Sequence, residues 1–185
     1  NAVIMLANGS TITVLGVHAS DLGAANFEFN VEPVTVNTGT MTIADGAILP
    51  LGGVIENSGK IVLGSTGSET DLQILVESAT LQGGGQVLLS DNGNNVIFGG
   101  AANATLINID NTISGAGQIG AGQMTLVNAG TIVADGLNAL VIDTGSMVVG
   151  NSGTLAATGS GGLVVAGALA NTGELSVAGG SLSIH

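Results

Sequence analysis

Apolar and polar positions alternate along this chain in short runs, and the runs restart at a recurring Asn-x-Gly. The phrase appears as "VTVNTGTMTIAD" (34–45), "VIENSGKIVL" (54–63), "MTLVNAGTIVAD" (124–135), "VVGNSGTLAAT" (148–158) and "ALANTGELSVAG" (168–179). After each Asn-x-Gly the alternation has a period of two, which is that of a strand with one covered face. Met41 and Ile43, Ile61 and Leu63, Val87 and Leu89, Ile132 and Ala134, Leu155 and Ala157, and Leu175 and Val177 then point one way, into a core. Thr40 and Thr42, Lys60 and Val62, Gln86 and Leu88, Thr131 and Val133, Thr154 and Ala156, and Glu174 and Ser176 point outward.

Aligned on Asn37, Asn57, Asn128, Asn151 and Asn171, the phrases recur at a nearly constant interval, except that the step from Asn57 to Asn128 is close to three such intervals. The long step holds two degenerate copies, "ATLQGGGQVLL" (79–89), where Gly83 takes the Asn place, and "ATLINIDNTI" (104–113). A period of roughly 20–25 residues, built from short β-type runs with Gly interrupting nearly every window, predicts stacked strands and excludes helical repeats. The fold expected is all-β, a right-handed parallel β-helix of about eight coils, each covering the apolar face of the next. The Gly is expected to supply a positive φ at a sharp corner, and the Asn side chains to bond to one another in a ladder between coils. Residues 107–124, with Gly-x-Gly-Gln twice, are off this register and predict an irregular corner. Residues 1–33 lack Asn-x-Gly and contain His18, Phe27 and Phe29, so the chain divides into an irregular N-terminal cap or junction (1–33) and a solenoid (34–185).

Composition narrows the surface. The chain has 185 residues, 32 of them Gly, and only 8% are charged, against about 25% in an average soluble domain. Thr, Ser, Asn and Gln must therefore make the outside. Thirteen carboxylates face one basic side chain, Lys60, for a net charge of −12. That balance excludes nucleic acid as a partner, since its phosphates require Lys and Arg, and it disfavours anionic membrane surfaces. With no Cys there is no disulfide scaffold. No run reaches the length of about 18 apolar residues that a membrane span needs.

The phrases "NSGTLAATGSGGLVV", "DNTISGAGQIGAGQMTLVNAGTIVADGLNALVIDTG" and "ANTGELSVAGGSLSI" resemble the repeat regions of large secreted bacterial β-solenoid surface proteins, over about residues 34–184. These are adhesins of the hemolysin-type calcium-binding class, autotransporter passengers and filamentous-hemagglutinin-like proteins. "GVHASDLGAANFEF" is similar to the linker phrases that precede such regions. The resemblance implies a stalk or adhesion role at the bacterial cell surface or outside the cell. The tandem Gly-Gly-x-Gly-x-Asp calcium nonapeptide is absent, "GGGQVLLSD" (83–91) being a loose echo, so the resemblance assigns calcium to no residue.

Catalytic chemistry finds little to stand on. A polysaccharide lyase needs Lys, Arg or Tyr as base together with cations, and Lys60 alone cannot supply both. A glycosidase needs two facing carboxylates; Glu69 and Asp71, at i and i+2, are the best pair, and "STGSETD" also reads as a solvated turn. His18 and Asp21 could evoke a nucleophile pair with Ser20, but all sit in one loop, and His18 reads as a surface histidine. "SDNGNN" (90–95) could hold a cation through Asp91 and Asn92, although one carboxylate is few for calcium. "GGGQ" and "GAGQ" lack the Lys and Ser/Thr of a phosphate loop and read as corners. No catalytic, cofactor-binding or metal residue is assigned, and calcium is the only cofactor entertained. His185 lies at the last position.

The expected function is a non-catalytic rigid stalk or assembling rod. A carbohydrate-binding or carbohydrate-processing module is the first alternative, opposed by the absence of Trp and Tyr; a filament or surface-layer subunit is the second. The alternation runs on through "SLSIH" (181–185), and "AVIMLA" (2–7) reads as a strand entered midway. Expected partners are other segments of a longer parent protein or copies of the chain end to end, with host or matrix glycans as a further possibility.

Overall fold

The computed structural model of the protein describes residues 1–5, 9, 11–23, 34–101 and 103–185 and, at Val76 and Glu77, the backbone alone. Phe27 and Phe29 lie outside the described residues. The chain forms two compact units, Asn1–Glu32 and Pro33–His185. In the first, β1 (Ala2–Met5) and β2 (Thr11–Val14) pair antiparallel, Ala2 opposite Val14. The Gly16 N–H donates to Asn1 Oδ1 at 2.7 Å, and a single 3₁₀ turn spans Ala19–Asp21.

The second unit is a parallel β-solenoid. Its strands follow in order as β3 (Val34–Asn37), β4 (Thr40–Ala44), β5 (Ile48–Asn57), β6 (Lys60–Gly64), β7 (Thr70–Gln82), β8 (Gln86–Leu89) and β9 (Asn95–Gly99). Then come β10 (Thr105–Asn108), β11 (Thr112–Gly115), β12 (Gly117–Gly120), β13 (Thr125–Asn128), β14 (Thr131–Ala134) and β15 (Leu140–Asp143). The last are β16 (Val149–Asn151), β17 (Thr154–Ala157), β18 (Leu163–Ala166), β19 (Leu169–Asn171), β20 (Glu174–Val177) and β21 (Leu182–Ile184). Each coil lays one strand on each of three faces. The second face is a seven-stranded sheet ordered β20-β17-β14-β11-β8-β6-β4. The first and third faces form one 12-stranded sheet, because β5 and β7 bend continuously from the third face of one coil into the first face of the next. β5 makes its bend through a register shift between Leu51 and Gly53.

Seven rungs make about six turns, fewer than the eight expected. Among the described residues before Val34, β1 and β2 form a sheet of their own, and the coils are unequal. The coil that carries Asn37 round to its partner Asn57 is visibly shorter than the one that carries Leu81 round to Asn108. At about 4.8 Å per rung, six steps span about 29 Å. The expected core columns form in register: Ile61 against Val87, Ile113 against Ile132, Ile132 against Leu155 and Leu155 against Leu175. Ile61, Ile132 and Leu155 are fully buried together with Ile97, Ile119 and Ile142 of the third face and Leu106 and Leu126 of the first. Two expectations fail at the last rung, where Leu175 and Val177 are 40% and 54% exposed because only one side carries a neighbouring rung. Ala156, expected outside, is buried at 8%, its short side chain overshadowed by its neighbours.

The Asn-x-Gly glycines are needed for a different reason from the one expected. Gly39, Gly59, Gly130, Gly153 and Gly173 do not adopt positive φ. All but Gly39, at the first rung, are sites of close approach. Below the last rung, the carbonyl oxygen of each of these glycines accepts the N–H that follows the next coil's glycine, as in Lys60 to Gly39 (2.8 Å) and Thr154 to Gly130 (2.9 Å). A Cβ on Gly59 would overlap the carbonyl oxygen of Gly39, and one on Gly153 that of Gly130. Positive φ belongs to the less regular corners, such as Gly83 and Gly84.

Candidate functional site

The most continuous chemical feature of the solenoid is a line of buried carboxamides at the corner between the first and second faces. Asn37 Nδ2 donates to Asn57 Oδ1 at 2.7 Å. Asn108 donates to Asn128 and Asn128 to Asn151, both at 2.8 Å, and Asn151 to Asn171 at 2.6 Å. All but Asn171 are buried. In water such amides would be satisfied anyway; here stacking removes the water, so each must find a partner or carry the cost of a bare polar group.

Sequence reading missed how the line crosses the third coil, which has no asparagine at this corner. Glu56 faces Gln82, which sets Gly83 against Asn57 as expected. Asn57 Nδ2 instead reaches past the glycines to Asn111 Oδ1, two rungs away, at 2.8 Å. The space it uses exists because residue 85 is glycine: a Cβ there would stand 2.7 Å from Asn57 Nδ2. Asn111 joins the upper series by donating its N–H to Asn108 Oδ1 (3.1 Å) and accepting Asn108 Nδ2 at its carbonyl (2.9 Å). "NIDN" at 108–111 is one position longer than Asn-x-Gly, and the added position makes the second asparagine possible.

A second buried amide was also overlooked. Asn95, within the turn "SDNGNN", is fully buried. Its Nδ2 donates to the carbonyls of Ser90 (2.8 Å), Asn92 (2.9 Å) and Ala116 (3.2 Å), and its Oδ1 accepts the Ser65 N–H (3.1 Å). The same turn was the candidate cation site, and hydrogen bonds within the protein occupy several of its oxygens. Asp91 Oδ1 accepts the Asn138 N–H at 2.8 Å, and Asn92 Oδ1 accepts the Asn94 N–H at 2.9 Å. The Asn138 N–H, with further help from Leu137 and the Asn138 side chain, holds the Asp91 carboxyl below its ordinary range. Asp45 works alike: its Oδ1 accepts the N–H groups of Thr66 (2.8 Å) and Ser68 (2.9 Å), which bring its pKa down to about 2. These acids tie one corner to another. No group of three or more His, Asp or Glu comes together among the described residues.

The other candidates are scattered. Ser20 Oγ donates to Asp21 Oδ1 at 3.3 Å, and His18, Ser20 and Asp21 are all exposed. Glu69 is exposed in the bend before β7, while Asp71 lies on β7 between Ile48 and Val96. The two carboxylates come from one stretch of chain and do not face each other across a cleft. Burial, and secondarily the Glu69 charge, raises the Asp71 pKa, and Asp71 Oδ1 is buried with no hydrogen-bond partner. Lys60 lies outward between Thr40 and Gln86. Gly83–Gly85 and both Gly-Ala-Gly stretches, 115–117 and 120–122, are corners, and β12 is the short third-face strand between the latter two. His185 Nε2 lies 3.0 Å from Ser183 Oγ. Among the described residues no helix is long and apolar enough to cross a membrane. Comparison of the chain with protein-family models, curated proteins and solved structures gives no match.

Proposed function

We propose that the solenoid is a non-catalytic, rigid spacer or assembling segment of a secreted or cell-surface bacterial protein. The observation that carries this reading is the amide line from Asn37 to Asn171, which runs from the first rung to the last and adds side-chain bonds to the backbone ladder. Ordinary repeat arrays are held rung to rung by apolar contact and backbone pairing. A chain of buried, directional bonds adds resistance to sliding and shear, which is what a spacer needs. The acidic, cation-poor, Thr- and Asn-rich surface and the resemblance of the repeat phrases to bacterial surface β-solenoids support placement outside the cell.

If length is the function, the rungs are interchangeable units. Thr131 and Thr154 occupy equivalent positions in adjacent coils. Excising residues 131–153 removes one full turn and rejoins Asn128-Ala129-Gly130 to Thr154. The shortened protein should fold with unchanged strand content and be shorter by about 4.8 Å in small-angle scattering. Loss of the fold on this excision would show that the rungs are not modular and would count against the spacer reading.

A further inference from the structure

The third face carries a feature that a plain spacer does not need. Phe98 of β9 is half-buried on the outer surface rather than in the core. Its neighbours in register are Gln73 on one side and Gly120 on the other. Position 120 admits no side chain, because its φ is +103° and a Cβ would overlap the Asp143 carbonyl. The outer surface therefore drops beside Phe98 into a hollow of about 170 Å³ lined by Glu69, Val96, Phe98, Gln118, Ala121 and Gln123. Its rim is strained: Ala121 has φ +48°, the only positive φ outside glycine among the described residues. Strain of this kind concentrates at ligand sites. A second hollow, of about 450 Å³, shares Gln123 and continues around the corner past Gly100, Gly122 and Ser146.

We propose that these two hollows are successive subsites for a neutral oligosaccharide built of hexose or N-acetylhexosamine units. The first is smaller than the usual range for a whole small-molecule ligand, about 300–1,000 Å³, and suits a single ring. A sugar ring presents one apolar C–H face and a rim of hydroxyls that both donate and accept. Phe98 matches the first. The carboxamides of Gln118 and Gln123, each donor and acceptor, and the acceptor-only carboxylate of Glu69 match the second. No cation lines either hollow, and with Glu69 present, uronate and sulfated chains are repelled. A shared side chain between adjacent hollows fits a chain ligand whose units repeat. Sequence composition alone argued against sugar binding because Trp and Tyr are absent; the one aromatic of the solenoid stands where it is useful. The proposal is independent of the spacer reading, since a rod can be built with or without it.

The test is a glycan array with the intact protein, followed by calorimetric titration of the best ligand. Neutral and N-acetylated chains should bind, and uronate or sulfated chains should not. Phe98→Ala and Gln118→Ala should each weaken binding about tenfold, with melting and circular dichroism confirming the fold. Phe98→Trp introduces the protein's only Trp, should keep binding, and its emission should shift with added sugar. No glycan bound, preference for acidic glycans, or binding unaffected by the Phe98 and Gln118 substitutions in folded protein would overturn the proposal.

Discussion

At the scale of single residues, the same side chain matters differently according to whether a rung lies on both sides of it. Asn151 is 2% exposed, accepts from Asn128 and donates to Asn171. Asn151→Ala leaves buried amide groups without partners and should lower stability by about 1–3 kcal/mol, read from the urea midpoint. Asn171→Ala should cost much less, because water can replace a bond lost at an exposed position; equal losses would contradict the ladder. Glycine gives a sharper contrast. Gly39 and Gly59 hold the same place in the phrase, yet a Cβ on Gly39 meets nothing within 4 Å while one on Gly59 strikes the Gly39 backbone. Gly39→Ala should therefore be nearly neutral and Gly59→Ala strongly destabilising in the same urea titration. Similar costs at both sites would mean that glycine serves corner conformation and not close approach.

At the scale of the strand, burial follows stacking more than local pattern. Leu155 on β17 and Leu175 on β20 are neighbours in register and read alike in sequence, but Leu155 is fully buried and Leu175 is 40% exposed. Leu155→Ala should cost about 2–5 kcal/mol, the usual range for a buried leucine with its cavity, and Leu175→Ala less than half of that. Leu155→Asp should unfold the surrounding rungs, since an unpaired charge cannot be buried there. The alternation that marked these strands was readable because a strand exposes one face to each side. The third-face strands were harder to see: β12 is a short strand between two glycine corners, and its apolar content reduces to Ile119.

At the scale of the whole molecule, the carboxylates act in opposite senses. Asp45 and Asp91 have folded-state pKa values below the ordinary 3.8, so their contribution is complete above that pH and is lost as pH falls through the lowered values, about 2 for Asp45. The Asp71 pKa is raised, so its charged form is a penalty at neutral pH that is lifted as pH falls through the raised value. Relief of self-repulsion at a net charge of −12 adds in the same direction as Asp71. The melting temperature should rise on mild acidification from pH 7, then fall below about pH 4. Asp71→Asn should flatten the rise, leaving the part that salt also abolishes, and Asp45→Asn should soften the fall. A melting profile of Asp71→Asn that overlays the parent's would remove Asp71 from this account.

The sequence by itself determined the fold class, the strands that follow each Asn-x-Gly and the columns they build, because stacked coils demand the same residue types at the same phase. It also marked Gly83 as standing in the asparagine place. It did not determine the number of turns, since the short coil from Asn37 to Asn57 and the long one from Leu81 to Asn108 each fill a single rung, and the difference is absorbed in corners. Nor did it reveal that Asn57 bonds to Asn111 across an intervening coil, that Asn95 is buried in a turn that reads as exposed, or that Phe98 lies beside the missing side chain of Gly120. Each of these depends on which residues are brought face to face from distant parts of the chain. Local pattern encodes whether a side chain points in or out; only the stacking decides what it meets.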